Sequence, residues 1–488
     1  MASEQGQSGG RAGYESVGSD YMEKRQLKSG AAGWVLLAGL GVAYVISGDF
    51  AGWNFGLAEG GWGGLLVATV LMATMYTCMV FGLAELSSTI STAGGGYGFA
   101  RRALGPWGGF LTGTAILIEY AIAPAAIVVF IGGYVESLGL WGIESGWPVY
   151  LVFYAIFVGV HLIGVGEALK VTFVITAIAV VALLVFALGM VGDFDSANLT
   201  NIAPDDSKAG SSDFLPFGYA GIWAAFPFAI WFFLAIEGVP LAAEETDNPK
   251  RDMPRGLIAG MLILLVFAAL MLTIAPGAGG ADTIQESDNP LPAAIDDAKG
   301  EGSFLSDFVN YIGLAGLIAS FFSIIYAYSR QLFALSRAGY LPKALSVTSG
   351  RKVPWLALLV PAAVGFLLAA ITKDGATMIN IAVFGATVSY VLMMLSHIVL
   401  RSREPDLERP YRTPGGTLTT GVALVLAVAA VVATFLVDTT AAFITLGVYA
   451  AAAVYFAVYS RHHLVASAPE EEFEAIASAE RELAGSQS

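Results

Sequence analysis

Apolar residues recur in runs of about 20 from residue 31 to residue 461, the length a helix needs to cross a bilayer core. By length the chain holds about twelve such spans: 32–58, 62–85, 106–137, 147–164, 168–191, 218–243, 255–275, 304–331, 354–372, 376–400, 418–437 and 440–460. Two of them are interrupted. In the first, Ile46-Ser47-Gly48-Asp49 sets a flexible polar step and a carboxylate near the middle of an apolar run. In the sixth, Ala235-Ile236-Glu237-Gly238 does the same, with Pro240 close behind. Freed backbone groups and a charge are costly in hydrocarbon unless they line a polar cavity, so these breaks point to a substrate site.

Interruptions five spans apart fit inverted five-helix repeats built around a midplane binding site; two unrelated kinks are the plainer alternative. The pattern therefore predicts an all-α membrane protein of about twelve helices. It combines a LeuT-like 5+5 inverted repeat, with broken first and sixth helices, and two extra helices. Helix-break positions are Ile46, Ala235, Ile236 and Gly238.

Charge orients this array. The chain has 24 Lys and Arg residues, and only Lys208, Lys299 and Lys373 fall in segments expected outside. The remaining 21 cluster at inner ends, among them Arg101, Arg102, Lys250, Arg251, Arg255, Arg401, Arg403, Arg409 and Arg412. This bias predicts a multi-pass protein of the plasma membrane with both termini cytoplasmic. Residues 1–30 are polar and Gly/Ser-rich and are expected to be a disordered cytoplasmic arm; residues 31–463 are expected to form the transmembrane domain, and 464–488 an acidic cytoplasmic tail with a short helix over 469–484.

Composition narrows the class further. Of 488 residues, 56% are hydrophobic and only 13% charged, about half the charged share of a soluble domain. The net charge of −15 argues against nucleic acid as a partner, and the lone Cys78 cannot form an intramolecular disulfide. No zinc spacing, Walker A loop or nucleophile elbow is present, so enzymatic chemistry and nucleotide-driven pumping are not expected. The lipid bilayer is an expected partner, and the sequence points to no obligate protein partner.

Three ordered motifs carry a family resemblance. These are Gly94-Gly95-Gly96-Tyr97 leading to Ala103-Leu104-Gly105-Pro106, Ala243-Glu244-Glu245-Thr246-Asp247-Asn248-Pro249-Lys250-Arg251-Asp252-Met253-Pro254-Arg255, and Arg330-Gln331-Leu332-Phe333-Ala334-Leu335-Ser336-Arg337. Together they resemble the helix-end signatures of amino acid–polyamine–organocation (APC superfamily) permeases. Within that superfamily the chain is most similar to ethanolamine permeases, through Ile46-Ser47-Gly48-Asp49-Phe50, Gly52-Trp53-Asn54-Phe55-Gly56 and Glu119-Tyr120-Ala121-Ile122-Ala123-Pro124. Ordinary amino acid permeases have Gly-Ser-Gly-hydrophobe at the first break, where backbone N–H groups receive the substrate carboxylate. Here Asp49 intrudes on that anion site and would repel a carboxylate, whereas an amino alcohol has none.

The resemblance implies a secondary transporter that imports ethanolamine or a related small amine by alternating access, with an amino acid permease as the alternative. No cofactor is implied, and Na⁺ or H⁺ is the candidate coupling ion. Ser47, Gly48, Asp49, Glu119, Tyr120, Trp231 and Glu237 are the candidate substrate-binding residues. Asp49 reads as the ammonium counter-charge or as a helix N-cap. Glu237 reads as a gating or proton-carrying acid or as an acceptor for backbone amides. Glu119 either lines the site or bonds a neighbouring helix. Trp231 is placed as an aromatic lid suited to an ammonium, or as core. Ser320 and Ser323 could supply oxygens to an ion site, or could simply pack. Several relatives that couple to protons carry a Lys partway along the fifth helix, where this chain has Ala179.

Overall fold

A computed structural model describes residues 32–90, 94–139, 142–164 and 168–465. The disordered arm expected over 1–30 and the helix expected over 469–484 lie outside these residues. The chain is all-α, with no strand among the described residues, and a parallel bridge pairs Ala32 with Thr246.

The helices are α1 (Trp34–Val45), α2 (Ser47–Phe50), α3 (Phe55–Thr89), α4 (Gly95–Ser137), α5 (Trp147–Ile163) and α6 (Ala168–Met190). They continue with α7 (Gly218–Ala224), α8 (Phe226–Trp231), α9 (Pro249–Gly279), α10 (Ala281–Ile284) and α11 (Pro290–Lys299). The last are α12 (Phe304–Arg337), α13 (Trp355–Thr372), α14 (Gly375–Arg403), α15 (Thr417–Val437) and α16 (Thr439–Val458). Among the described residues, ten helical segments are long and apolar enough to cross a membrane, and two shorter apolar helices, α1 and α5, accompany them.

Glycine sets the joints between spans. Gly61 has φ +64° and lets the first span turn into the second without a loop, and Gly105, at φ +78°, does the same ahead of the third. Gly256 and Gly260, four apart on α9, let α1 approach closely: a Cβ at Gly256 would stand 2.6 Å from that of Leu37. Outward faces leave Leu367, Ile371, Val425, Leu436 and Val458 exposed on α13, α15 and α16, as suits helices solvated by lipid. The interior is filled by α4, which packs most extensively against α14 and α12. Pro124 has no N–H for the carbonyl of Tyr120, which loosens α4 beside Glu119 and Tyr120.

Candidate functional site

The first interruption has two stages. Helix α1 ends at Val45, yet Ser47–Phe50 still makes one helical turn, α2, and the chain becomes extended only at Ala51 (φ −160°, ψ 159°). Gly52 then takes φ +95°, a conformation that favours glycine. The interruption thus begins at Ile46, keeps one helical turn through Phe50, and leaves helical geometry at Ala51 and Gly52.

Side chains pair the backbone groups this break frees. The Tyr134 hydroxyl donates to the Phe50 carbonyl at 2.9 Å, and the Trp231 indole N–H donates to the Ala51 carbonyl at 3.0 Å. Asn54 accepts from the Gly52 N–H at 3.0 Å and donates to the carbonyls of Ile284 and Ser287, each at 2.8 Å. Ser320 donates to the Tyr44 carbonyl at 2.8 Å, and its hydroxyl lies 2.8 Å from that of Ser47. Ser323 instead donates to Ala319 in its own helix, 2.7 Å away. The structure thus brings Ser320 to the break and leaves Ser323 bonded within its own turn.

Asp49 stands alone in this setting. It is 1% exposed, and among the described residues neither of its carboxylate oxygens has a hydrogen-bond partner. It lies inside the turn and caps nothing, since no side chain caps α2. Gly48 beside it touches the second break: a Cβ there would stand 2.5 Å from the Trp231 carbonyl oxygen.

The second interruption is longer than expected. Helix α8 ends at Trp231, and Phe232–Ala235 form an irregular turn that closes with Ala235 at φ +79°. A 3₁₀ stretch then runs over Ile236–Glu245. Glu237 accepts from the hydroxyls of Tyr120 at 3.2 Å and Tyr390 at 3.4 Å, and Tyr390 in turn lies 2.8 Å from Tyr76. The Glu119 carboxyl is the neighbour of Glu237, and neither has a basic partner among the described residues. Gly238 abuts this network, where a Cβ would meet the Tyr120 hydroxyl at 2.8 Å. The candidate acids therefore form two groups: Asp49 at the first break, and Glu119 with Glu237 at the second.

Sequence reasoning missed Tyr76, Tyr390 and Asn54. A tyrosine or asparagine inside an apolar span has polar atoms that need a partner, and that was the available signal. It also missed a hub at the opposite end of α3. Glu85, 2% exposed, accepts from Arg401 at 2.8 and 2.6 Å and from the Thr413 N–H at 2.7 Å. Arg409 lies 3.1 Å and His397 3.3 Å from the same carboxylate. Arg330 on α12 pairs with Glu245 at 3.0 Å and lies over the Tyr326 ring.

One acid outside the spans carries a pH dependence. Burial, with Asp374 and Glu136 nearby, pushes the Asp288 carboxyl up to about 6 from its ordinary value near 3.8. An acid raised on folding favours the folded state while protonated and opposes it as pH climbs through 6. Asp288→Asn is therefore expected to stabilise the protein above pH 6 by about 2–3 kcal/mol and to change nothing below pH 4. Melting curves at pH 4 and pH 8 check this; an equal shift at both would refute it.

Buried polar breaks in an all-helical, multi-span chain define a membrane-embedded permease. The Amino acid permease family model matches residues 35–468. An uncharacterized transporter of Rhizobium meliloti (strain 1021) is 30% identical over 407 residues, 81% of this chain and 85% of the relative. The branched-chain amino acid permease BcaP of Bacillus subtilis (strain 168) is 26% identical over 384 residues, 74% and 79% of the two chains. The D-serine/D-alanine/glycine transporter of Escherichia coli (strain K12) is 27% identical over 360 residues, 68% and 72%. This chain belongs to the amino acid permease family.

Proposed function

We propose that the protein is a secondary transporter that imports a small amino compound by alternating access, its ammonium group paired with Asp49. The observation that carries this reading is the buried Asp49 carboxylate, without a partner among the described residues, at the first helix break. A charge-assisted bond to an ammonium would give it one. The named activities of the relatives favour an amino acid as the compound. A second reading, an amino alcohol such as ethanolamine, is favoured by the position of Asp49 beside the turn where a substrate carboxylate would bind. Trp231 spans both breaks and is suited to cover the bound ammonium. For the coupling ion we favour a proton held by Glu119 or Glu237 over sodium, because both carboxyls are buried and neither has an ion pair among the described residues.

Uptake of labelled alanine and of labelled ethanolamine into proteoliposomes with an inside-negative potential, each with the other as competitor, tests these readings. Saturable alanine uptake that ethanolamine leaves untouched would support amino acid transport and remove the amino alcohol. Ethanolamine uptake that alanine leaves untouched would do the reverse, and uptake of neither would overturn both. Imposed proton and sodium gradients in the same vesicles separate the two ions.

A further inference from the structure

A cavity of about 930 Å³ opens between the start of α1, the first turns of α9 and the segment before α15. Lys250, Arg251 and Arg255 form its mouth, with Trp34 and Tyr411 beside them and Leu262 at its far end. Within α9 the spacing is ordered: Arg251, Arg255, Ile258 and Leu262 follow one another at four, three and four residues and so share a face. That face passes from cations to hydrocarbon over about 16 Å. Trp34 and Leu262 are exposed, although both belong to apolar helices.

The cations are available. The side chains of Lys250 and Arg251 are 63% and 61% exposed. Glu408 reaches Lys250 only at 4.0 Å, and Asp252 reaches Arg251 at 3.8 Å. Arg255 has no ion pair or hydrogen bond among the described residues. The amino end of the 31-residue α9 adds partial positive charge to the same mouth.

We infer that this groove binds an anionic glycerophospholipid, its phosphate held by Arg251, Arg255 and Lys250 and its acyl chains laid along Ile258 and Leu262. A zwitterionic lipid would bring its own cation to a mouth already rich in them. A soluble phosphate would leave the apolar wall unused. Basic pockets between membrane helices, with aromatic side chains at the interface, are suited to such headgroups.

The test uses the full chain purified in mild detergent and native mass spectrometry with dioleoyl phosphatidylglycerol, dioleoyl phosphatidylcholine or glycerol phosphate. Preferential retention of phosphatidylglycerol is expected, weakened by salt and not displaced by glycerol phosphate. At about fivefold in affinity per cation, the double variant Arg251→Gln/Arg255→Gln should lose about 25-fold while melting like the parent, because both side chains are exposed. Equal retention of the two lipids, indifference to salt, displacement by glycerol phosphate, or undiminished retention by the double variant would each overturn the inference. The salt series on the unmodified chain keeps the inference open to refutation even if the variant misfolds.

Discussion

Asp49→Asn protein is expected to reach the membrane in normal amount, melt no lower than the parent and transport almost nothing. The two halves of that expectation have one cause. None of the described residues bonds to the Asp49 carboxylate, so a neutral side chain of the same shape removes no internal hydrogen bond and relieves the cost of burying a charge. A residue retained for stability would behave in the opposite way. If the carboxylate pairs with the substrate ammonium, removing one partner of a buried charged pair costs about 2–5 kcal/mol, or at least about 30-fold in affinity. Initial uptake rates in proteoliposomes, normalised to incorporated protein, measure the loss. Parental rates in the Asn variant would eliminate the counter-charge role, whichever amine is carried.

Glu85→Gln should have the larger effect on folding. One carboxylate there joins α3 to the end of α14 and to the segment before α15, through two arginines, a histidine and a backbone amide. The amide side chain keeps the shape but leaves Arg409, 9% exposed, and the partly buried Arg401 without their anion. Breaking such a cluster by removing one partner costs about 3–5 kcal/mol, a large part of the stability of most folds. Little monodisperse protein should survive size-exclusion chromatography in detergent. A Gln variant with the yield and melting temperature of the parent would show that the cluster contributes little.

Much of the architecture was legible because hydrocarbon thickness dictates helix length. The expected spans 147–164 and 354–372 became Trp147–Ile163 and Trp355–Thr372, and even the loopless joint at Gly61 fell between two expected spans. The breaks were located to within a few residues, but their form was not. Ser47–Phe50 keeps a helical turn, in which the Asp49 N–H donates to the Ile46 carbonyl at 3.1 Å, and the sequence does not show that Trp231 and Tyr134 satisfy the carbonyls of Ala51 and Phe50. Long-range pairing was the least legible. Glu85 meets Arg401 across 316 positions, and Asn54 meets Ser287 across 233, with no local periodicity to announce either contact.

The contact between the two breaks also bears on how this chain can evolve. Gly48 and Gly52 both abut Trp231, one at its backbone carbonyl and the other at its indole nitrogen, with room for no Cβ at either. Any side chain acquired at 48 or 52 would displace the tryptophan itself, so neither position offers a gradual path to a new substrate. Drift in specificity has to enter at other positions, while the glycines hold the frame fixed.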